Sequence, residues 1–298
     1  MSEVVEVGGP DGRAIEVLTG GDPGGVGLLY HGGSPSAVAD HPPMEEAARS
    51  LGLRLVTYSR PGYGASTPRP APGRYADDVT ESVAVLDALG IDEFVTVGWS
   101  GGGPRALACA ALLPDRCRAA ASLAGVAPYD APDLDWFAGM AEENHAEYHA
   151  AEAGRETYEA FLVGEFLPIL EASPAQLAEA LGGLAPPVDR AMLQGDFADW
   201  LSRTFQRAGA QGVVGVRDDG LAATSPWGFD VADIRVPVAI WQGRQDAMVP
   251  YAHGTWLATH IPHARAHLFE DEGHLSLVGR LEEVLLDLKQ LAGLGPGA

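Results

Sequence analysis

Phe94-Val95-Thr96-Val97-Gly98-Trp99-Ser100-Gly101-Gly102-Gly103-Pro104-Arg105-Ala106-Leu107 is the stretch whose reading decides the fold. A β-branched apolar run breaks at a glycine, one serine stands between small neighbours, and an Ala- and Leu-rich helical run begins at once. The stretch therefore reads as strand, sharp turn and helix, an elbow with the serine at its bend. In the pattern Gly98-x-Ser100-x-Gly102 the glycines leave room where a Cβ would collide with the adjoining strand or helix. The serine between them is held in a strained conformation that lifts its hydroxyl above the sheet. It also sits at a helix N-terminus, which favours developing negative charge. Taken alone, the five residues are equally an ordinary turn in a chain with 38 glycines. A nucleophilic serine needs a base, a carboxylate and an oxyanion site from elsewhere in the chain.

Before the elbow, residues 4–7 and 14–18 alternate apolar and polar around Gly9-Pro10-Asp11-Gly12, which predicts an antiparallel hairpin at a sheet edge. Apolar runs at 27–30 and 53–58 predict buried strands. The first ends in His31-Gly32-Gly33-Ser34-Pro35 and the second in Ser59-Arg60-Pro61-Gly62-Tyr63-Gly64-Ala65-Ser66. Val79, Val83, Leu86 and Leu89 give 75–89 the spacing of an amphipathic helix. After the elbow, 118–125 reads as another strand. Strands alternating with helices predict an α/β fold whose mostly parallel sheet is covered on both faces.

That rhythm stops at about Pro128. From 129 to 230 the sequence offers only helical stretches, around 136–148, 156–170, 174–181 and 188–208. Strand signals resume at 236–241, then come a helix at 251–260, a strand at 266–269 and a last helix at 276–291. The expected organisation is a core made of residues 1–128 and 231–298, interrupted by a helical cap over 129–230. The cap carries 18 acidic and 5 basic residues, a net of −13 out of −22 for the chain.

The charge also bounds the partners. A net of −22 repels phosphate backbones and anionic membrane surfaces, so neither nucleic acid nor membrane is expected. With 46% hydrophobic and 20% charged residues among 298, the chain can bury a sizeable core. Met1-Ser2-Glu3-Val4-Val5-Glu6 lacks the basic and apolar parts of a signal peptide, and no run approaches the ~18 apolar residues of a membrane span. A cytoplasmic location is expected. Cys109 and Cys117 fit no metal pattern and read as small buried hydrophobes in a reducing compartment. The remaining histidines, such as His41, His145 and His260, are scattered and read as no metal site.

A serine hydroxyl is a weak nucleophile at neutral pH and needs a histidine that a carboxylate orients. In an α/β sheet those partners come from loops at the carboxyl ends of the strands. The strand at 236–241 runs into Gln242-Gly243-Arg244-Gln245-Asp246-Ala247-Met248-Val249-Pro250, and the strand at 266–269 into Glu270-Asp271-Glu272-Gly273-His274-Leu275-Ser276. The candidate constellation is Ser100, Asp246 and His274. Asp246 alone could equally close a turn or cap a helix, and Asp271 is the second choice for orienting His274. For the oxyanion, the N–H of Gly101 is one candidate donor and that of Gly33 the other, with Ser34 as the alternative to Gly33.

His31-Gly32-Gly33, Arg60-Pro61-Gly62-Tyr63-Gly64-Ala65-Ser66, Gly98-Trp99-Ser100-Gly101-Gly102, Gly243-Arg244-Gln245-Asp246-Ala247-Met248-Val249-Pro250 and Gly273-His274 together resemble the α/β-hydrolase fold family. The resemblance spans essentially the whole core, with a lid where the family commonly inserts one. It implies Ser-His-Asp acyl transfer on a small-molecule acyl substrate, without metal or organic cofactor. Serine at the elbow argues against the haloalkane dehalogenase and epoxide hydrolase branches, which use aspartate there. The chain is similar to prolyl aminopeptidases in His31-Gly32-Gly33, and an acidic cap could hold a substrate's ammonium group. It departs from them at Trp99, which precedes the serine where they carry a tryptophan after it, and at Ser34-Pro35, where they carry Pro-Gly. Carbon–carbon bond hydrolases and cofactor-free haloperoxidases share the same three residues. The expected activity is cleavage of a small to medium carboxylic ester, lactone or thioester. The alternatives are an aminopeptidase or amidase, a C–C bond hydrolase, an acyltransferase, and a ligand-binding receptor on a hydrolase scaffold. Trp136, Phe137, Met140, Tyr148, Phe161 and Phe166 stand as candidates either for the pocket wall or for packing between cap and core.

Overall fold

In the computed structural model, which describes residues 2–295, the apolar runs assemble into one eight-stranded sheet. The chain order begins β1 (Glu3–Gly8), β2 (Ala14–Gly21), β3 (Val26–His31), α1 (Pro42–Ser50), β4 (Leu53–Tyr58), α2 (Val79–Ala88), β5 (Phe94–Trp99), α3 (Gly103–Leu112) and β6 (Cys117–Leu123). After β6 come α4 (Glu142–Glu152), α5 (Arg155–Phe161), α6 (Leu167–Leu170), α7 (Leu177–Ala180), α8 (Pro187–Arg190), α9 (Gly195–Ala208) and α10 (Val214–Ala223). The chain then returns through β7 (Val238–Gly243), α11 (Tyr251–His260), β8 (Arg265–Phe269) and α12 (Leu281–Leu291).

In space the strands run β1-β2-β4-β3-β5-β6-β7-β8. β2 pairs antiparallel with β1 and with β4, and every later pairing is parallel. Alternate residues of a strand point to opposite faces, which sorts the apolar side chains into two layers. Leu28, Leu55, Val95 and Ala121 pack with Met44 of α1 and Leu285 of α12. Their neighbours Leu29, Val56, Phe94 and Ala120 pack with Leu86 of α2, Leu107 of α3 and Leu257 of α11. Because β3, β5, β6, β7 and β8 are parallel, their exits gather along one edge of the sheet, where ligands bind in open α/β folds. The register pairs His31 with Gly98, which sets the Gly32-Gly33-Ser34 exit beside the elbow.

Local structure departs from the sequence expectations at several places. α1 and α10 carry weak helical signals: α1 opens on two prolines and buries mainly alanine and methionine, and α10 contains two glycines and two aspartates. The stretch expected as a helix from 136 is turns as far as Ala141, and the helix starts at Glu142. The run expected from 188 to 208 is interrupted before Gly195, whose φ of 55° lies in the left-handed region. β7 starts at Val238 rather than 236, after Pro237, which has no N–H to give to a ladder. Among the described residues no helix is long and apolar enough to cross a membrane.

Candidate active site

Ser100 follows the last residue of β5 and precedes α3, and its φ of 55° places a non-glycine residue in the left-handed region. Such a conformation costs about 1–3 kcal/mol and persists only where the surroundings impose it. Here they do so through backbone contact. A Cβ on Gly98 would lie 2.0 Å from the Gly102 carbonyl oxygen, and one on Gly102 would lie 2.1 Å from that of His31. Both glycines are required by the close approach of main chains.

His274, from the loop after β8, is 1% exposed, and its Nδ1 lies 2.8 Å from Asp246 Oδ2. With Nδ1–H donating to Asp246, Nε2 keeps its lone pair. Asp246, from the loop after β7, accepts at Oδ1 the N–H groups of Met248 (2.9 Å) and Val249 (2.7 Å), and at Oδ2 the Gln242 amide (3.1 Å). One carboxylate thus both closes its own turn and meets the imidazole, so the two readings of Asp246 coexist. Asp271 is not among the partners of His274. Burial disfavours a charged His274, but the adjacent Asp246 outweighs it and raises the pKa above the ordinary 6.5. His31 is the contrast: burial, with Arg105 and Arg60 nearby, lowers it to about 3.

The glycine exit of β3 lies directly against the elbow. A Cβ on Gly33 would be 3.3 Å from Ser100 Cβ, and one on Gly101 would be 3.0 Å from Ser34 Cβ. Arg60 donates to the carbonyls of Gly32 (2.8 Å) and Gly33 (2.7 Å), so in those peptides the N–H groups of Gly33 and Ser34 point away from the guanidinium. Arg105 holds the Gly101 carbonyl at 2.6 Å.

Both arginines converge on Asp219 of α10, a residue the sequence reading missed. Asp219 accepts from Arg60 Nη2 (2.5 Å), Arg105 Nη2 (2.5 Å), Tyr63 Oη (2.8 Å) and Ser34 Oγ (2.5 Å). Burial pushes the Asp219 carboxyl up, but Arg105 and Arg60 more than offset it and hold it at about 2. Arg105 continues the network to Asp78 at 2.6 Å. A lone arginine inside the apolar run of α3 was the available sequence signal, since a buried guanidinium requires a carboxylate. Nothing in the helix-poor sequence of α10 pointed to Asp219 as that partner.

Ser100, Gly101, Gly33 and His274 open on one cavity of about 100 Å³, whose remaining wall comes largely from the helices between β6 and β7. Tyr148 and Phe166 line it, whereas Trp136 and Met140 are buried in the core layer that contains α2 and α3. Its lining contains no lysine or arginine. Among the described residues Glu147 is a lining carboxylate without a cation partner. Tyr158 donates to its Oε1 at 2.7 Å, and burial raises its pKa to about 7. Tyr158 reaches it past Gly220, where a Cβ would lie 2.0 Å from the phenol oxygen. Among the described residues no group of three or more His, Cys, Asp or Glu side chains could hold a metal ion, and Cys109 and Cys117 are free and buried.

A family model described as alpha/beta hydrolase fold matches residues 28–280. A pimeloyl-[acyl-carrier protein] methyl ester esterase of Chromobacterium violaceum is 28% identical over 265 residues, covering 89% of this chain and 91% of that protein. A 2-hydroxymuconate semialdehyde hydrolase of Pseudomonas putida is 26% identical over 262 residues, covering 86% and 82%. The structure of a bromoperoxidase from Bacillus anthracis superposes with a TM-score of 0.71 at 20% identity, covering 97% of this chain and all of that one.

Proposed function

This chain belongs to the alpha/beta hydrolase fold family, and from that premise we propose that it is a serine hydrolase acting on a small to medium carboxylic ester, lactone or thioester. The observation that carries the reading is the buried His274–Asp246 pair, with Nδ1 2.8 Å from the carboxylate, opening on the same cavity as a Ser100 held at positive φ. In this mechanism Ser100 Oγ attacks the acyl carbonyl while His274 Nε2 accepts its proton, and Asp246 stabilises the resulting imidazolium. The Gly101 N–H and that of Gly33, or of its neighbour Ser34, receive the oxyanion. His274 then protonates the leaving group, and water repeats the sequence in reverse to free the acid. The helical segment 129–230 acts as a cap that shapes the cavity, and no cofactor enters the chemistry.

The lining favours neutral over anionic substrates, since a free carboxylate finds no lysine or arginine there. Glu147 favours a second reading. An unpaired carboxyl on the wall suits an acyl group bearing an amine, which keeps amidase or aminopeptidase activity as the alternative. A panel of p-nitrophenyl alkyl esters, simple lactones and amino-acid p-nitroanilides tests both. Ester or lactone turnover that disappears in Ser100→Ala supports the first reading. Turnover confined to the anilides moves the assignment to the second. Ester turnover that survives in Ser100→Ala overturns the mechanism.

A further inference from the structure

Asp189 lies in α8, within the helical segment between β6 and β7, and its side chain is fully buried. Its Oδ2 accepts the backbone N–H of His274 at 2.8 Å, and its Oδ1 accepts those of Leu275 at 2.8 Å and Ser276 at 2.9 Å. Three successive amides of the loop that carries His274 therefore converge on one carboxylate, an arrangement suited to an anion. Among the described residues no cation pairs with Asp189. The carboxylate also explains Gly273: a Cβ there would lie 2.5 Å from Oδ1 and 2.6 Å from Oδ2.

The other attachments of the loop set this contact in context. Trp99, the residue before Ser100, donates its indole N–H to the His274 carbonyl at 3.2 Å. Asp246 holds the ring. The Gly273 N–H goes to Ser276 Oγ at 2.8 Å, which in turn donates to Glu272 at 2.6 Å. Every polar group of His274 except Nε2 thus has a partner, and the one on its N–H comes from the helical segment rather than from the sheet.

We propose that Asp189 is a positioning residue through which the cap sets the orientation of His274, so that the cap completes the reaction centre as well as covering it. The proposal rests on the reading of His274 as the general base. The charged groups about the loop are Asp246 at the ring, Asp189 at the main chain, Glu272, paired with Arg280 at 2.6 Å, Glu270, paired with Arg244 at 2.5 Å, and the exposed Asp271, while Glu147 and Asp219 share the cavity with His274. Asp189 and Asp246 both favour the imidazolium. Removing the charge of Asp189 therefore makes His274 less basic, which loss of packing alone would not do.

The test is steady-state hydrolysis of a p-nitrophenyl ester across pH by the wild type, Asp189→Asn, Asp189→Ala and His274→Ala. Asparagine keeps the shape but turns an NH₂ group or a neutral oxygen toward the three donors. We expect kcat to fall about tenfold in Asp189→Asn and about a hundredfold in Asp189→Ala with KM little changed, the size of effect that follows from a misplaced catalytic group. We also expect the acid limb of kcat/KM in Asp189→Asn to move to lower pH. If the alanine variant does not fold, the asparagine variant decides through kcat and the acid limb together. Wild-type kcat and an unmoved acid limb in Asp189→Asn, with His274→Ala inactive, overturn the proposal alone. So does a kcat loss that leaves the acid limb in place, since that marks a merely structural role. Turnover retained by His274→Ala overturns the base assignment and the proposal with it.

Discussion

Replacing Asp219 with alanine removes the carboxylate on which Arg60, Arg105, Tyr63 and Ser34 converge, and leaves two guanidiniums that are only 4% and 3% exposed. They are not left equally. Arg105 keeps Asp78 at 2.6 Å, whereas Arg60 keeps the carbonyls of Gly32 and Gly33 and the face of the Tyr63 ring but no carboxylate. Breaking a buried ion pair from one side destabilises by roughly 3–5 kcal/mol. Linkage gives a lower figure: holding the carboxyl at about 2 against an ordinary 3.8 corresponds to roughly 2–3 kcal/mol. The larger value governs the variant, because linkage measures only the carboxylate's own ionisation and not the stranding of Arg60. At roughly 2–4 °C per kcal/mol for a domain of this size, the unfolding midpoint should fall by on the order of 10 °C. The folded pKa lies below the unfolded one, so this contribution is fully present above the ordinary carboxylate pKa and is lost as pH falls toward 2. The gap between wild type and variant should therefore narrow through that acid window. Thermal unfolding followed by circular dichroism at neutral and acid pH measures it. Asp219→Ala combined with Arg60→Met should recover part of the loss, since it removes the stranded cation. A single variant within about 1 kcal/mol of wild type, or a double variant less stable than the single one, would refute the reasoning.

Three further outcomes follow from the site. Asp246→Asn should lower kcat for ester hydrolysis by roughly 10³–10⁴-fold, because the amide no longer holds the Nδ1–H tautomer, and a loss under tenfold would contradict that role. In the wild type, kcat/KM should decline on acidification with an apparent pKa above the ordinary 6.5 of imidazole, because Asp246 outweighs burial in favouring the protonated ring; a lower midpoint would place the titrating group elsewhere. Gly102→Ala would set a Cβ 2.1 Å from the His31 carbonyl oxygen, and soluble protein with a wild-type midpoint would show that the elbow is looser than described.

The strands and the elbow were legible because each signal was local. A β-branched run ending in Gly98-Trp99-Ser100-Gly101-Gly102 specifies strand, turn and helix from nearest neighbours, and the exits at Asp246 and His274 follow from strand endings. The edge hairpin was legible for the same reason. α1 and α10 were not, because neither carries a strong helical pattern of its own. α10 is helical in the fold that brings Asp219 to Arg60 and Arg105, partners 159 and 114 positions away. Asp189 was hidden likewise: its partners are backbone amides 85 to 87 positions later, and a backbone donor leaves no trace in residue type. The aromatics between β6 and β7 divide between the two readings, Tyr148 and Phe166 to the cavity and Trp136 to packing, since helical spacing marks an apolar face without saying what covers it.

The central claim is that Ser100 is a nucleophile activated by His274. Its most direct test is intact-protein mass spectrometry after exposure to a fluorophosphonate. The account predicts one adduct on the wild type, mapped to Ser100 by peptide sequencing, with none on Ser100→Ala and greatly slowed labelling of His274→Ala. An unlabelled wild type, or an adduct that persists on Ser100→Ala, would contradict it.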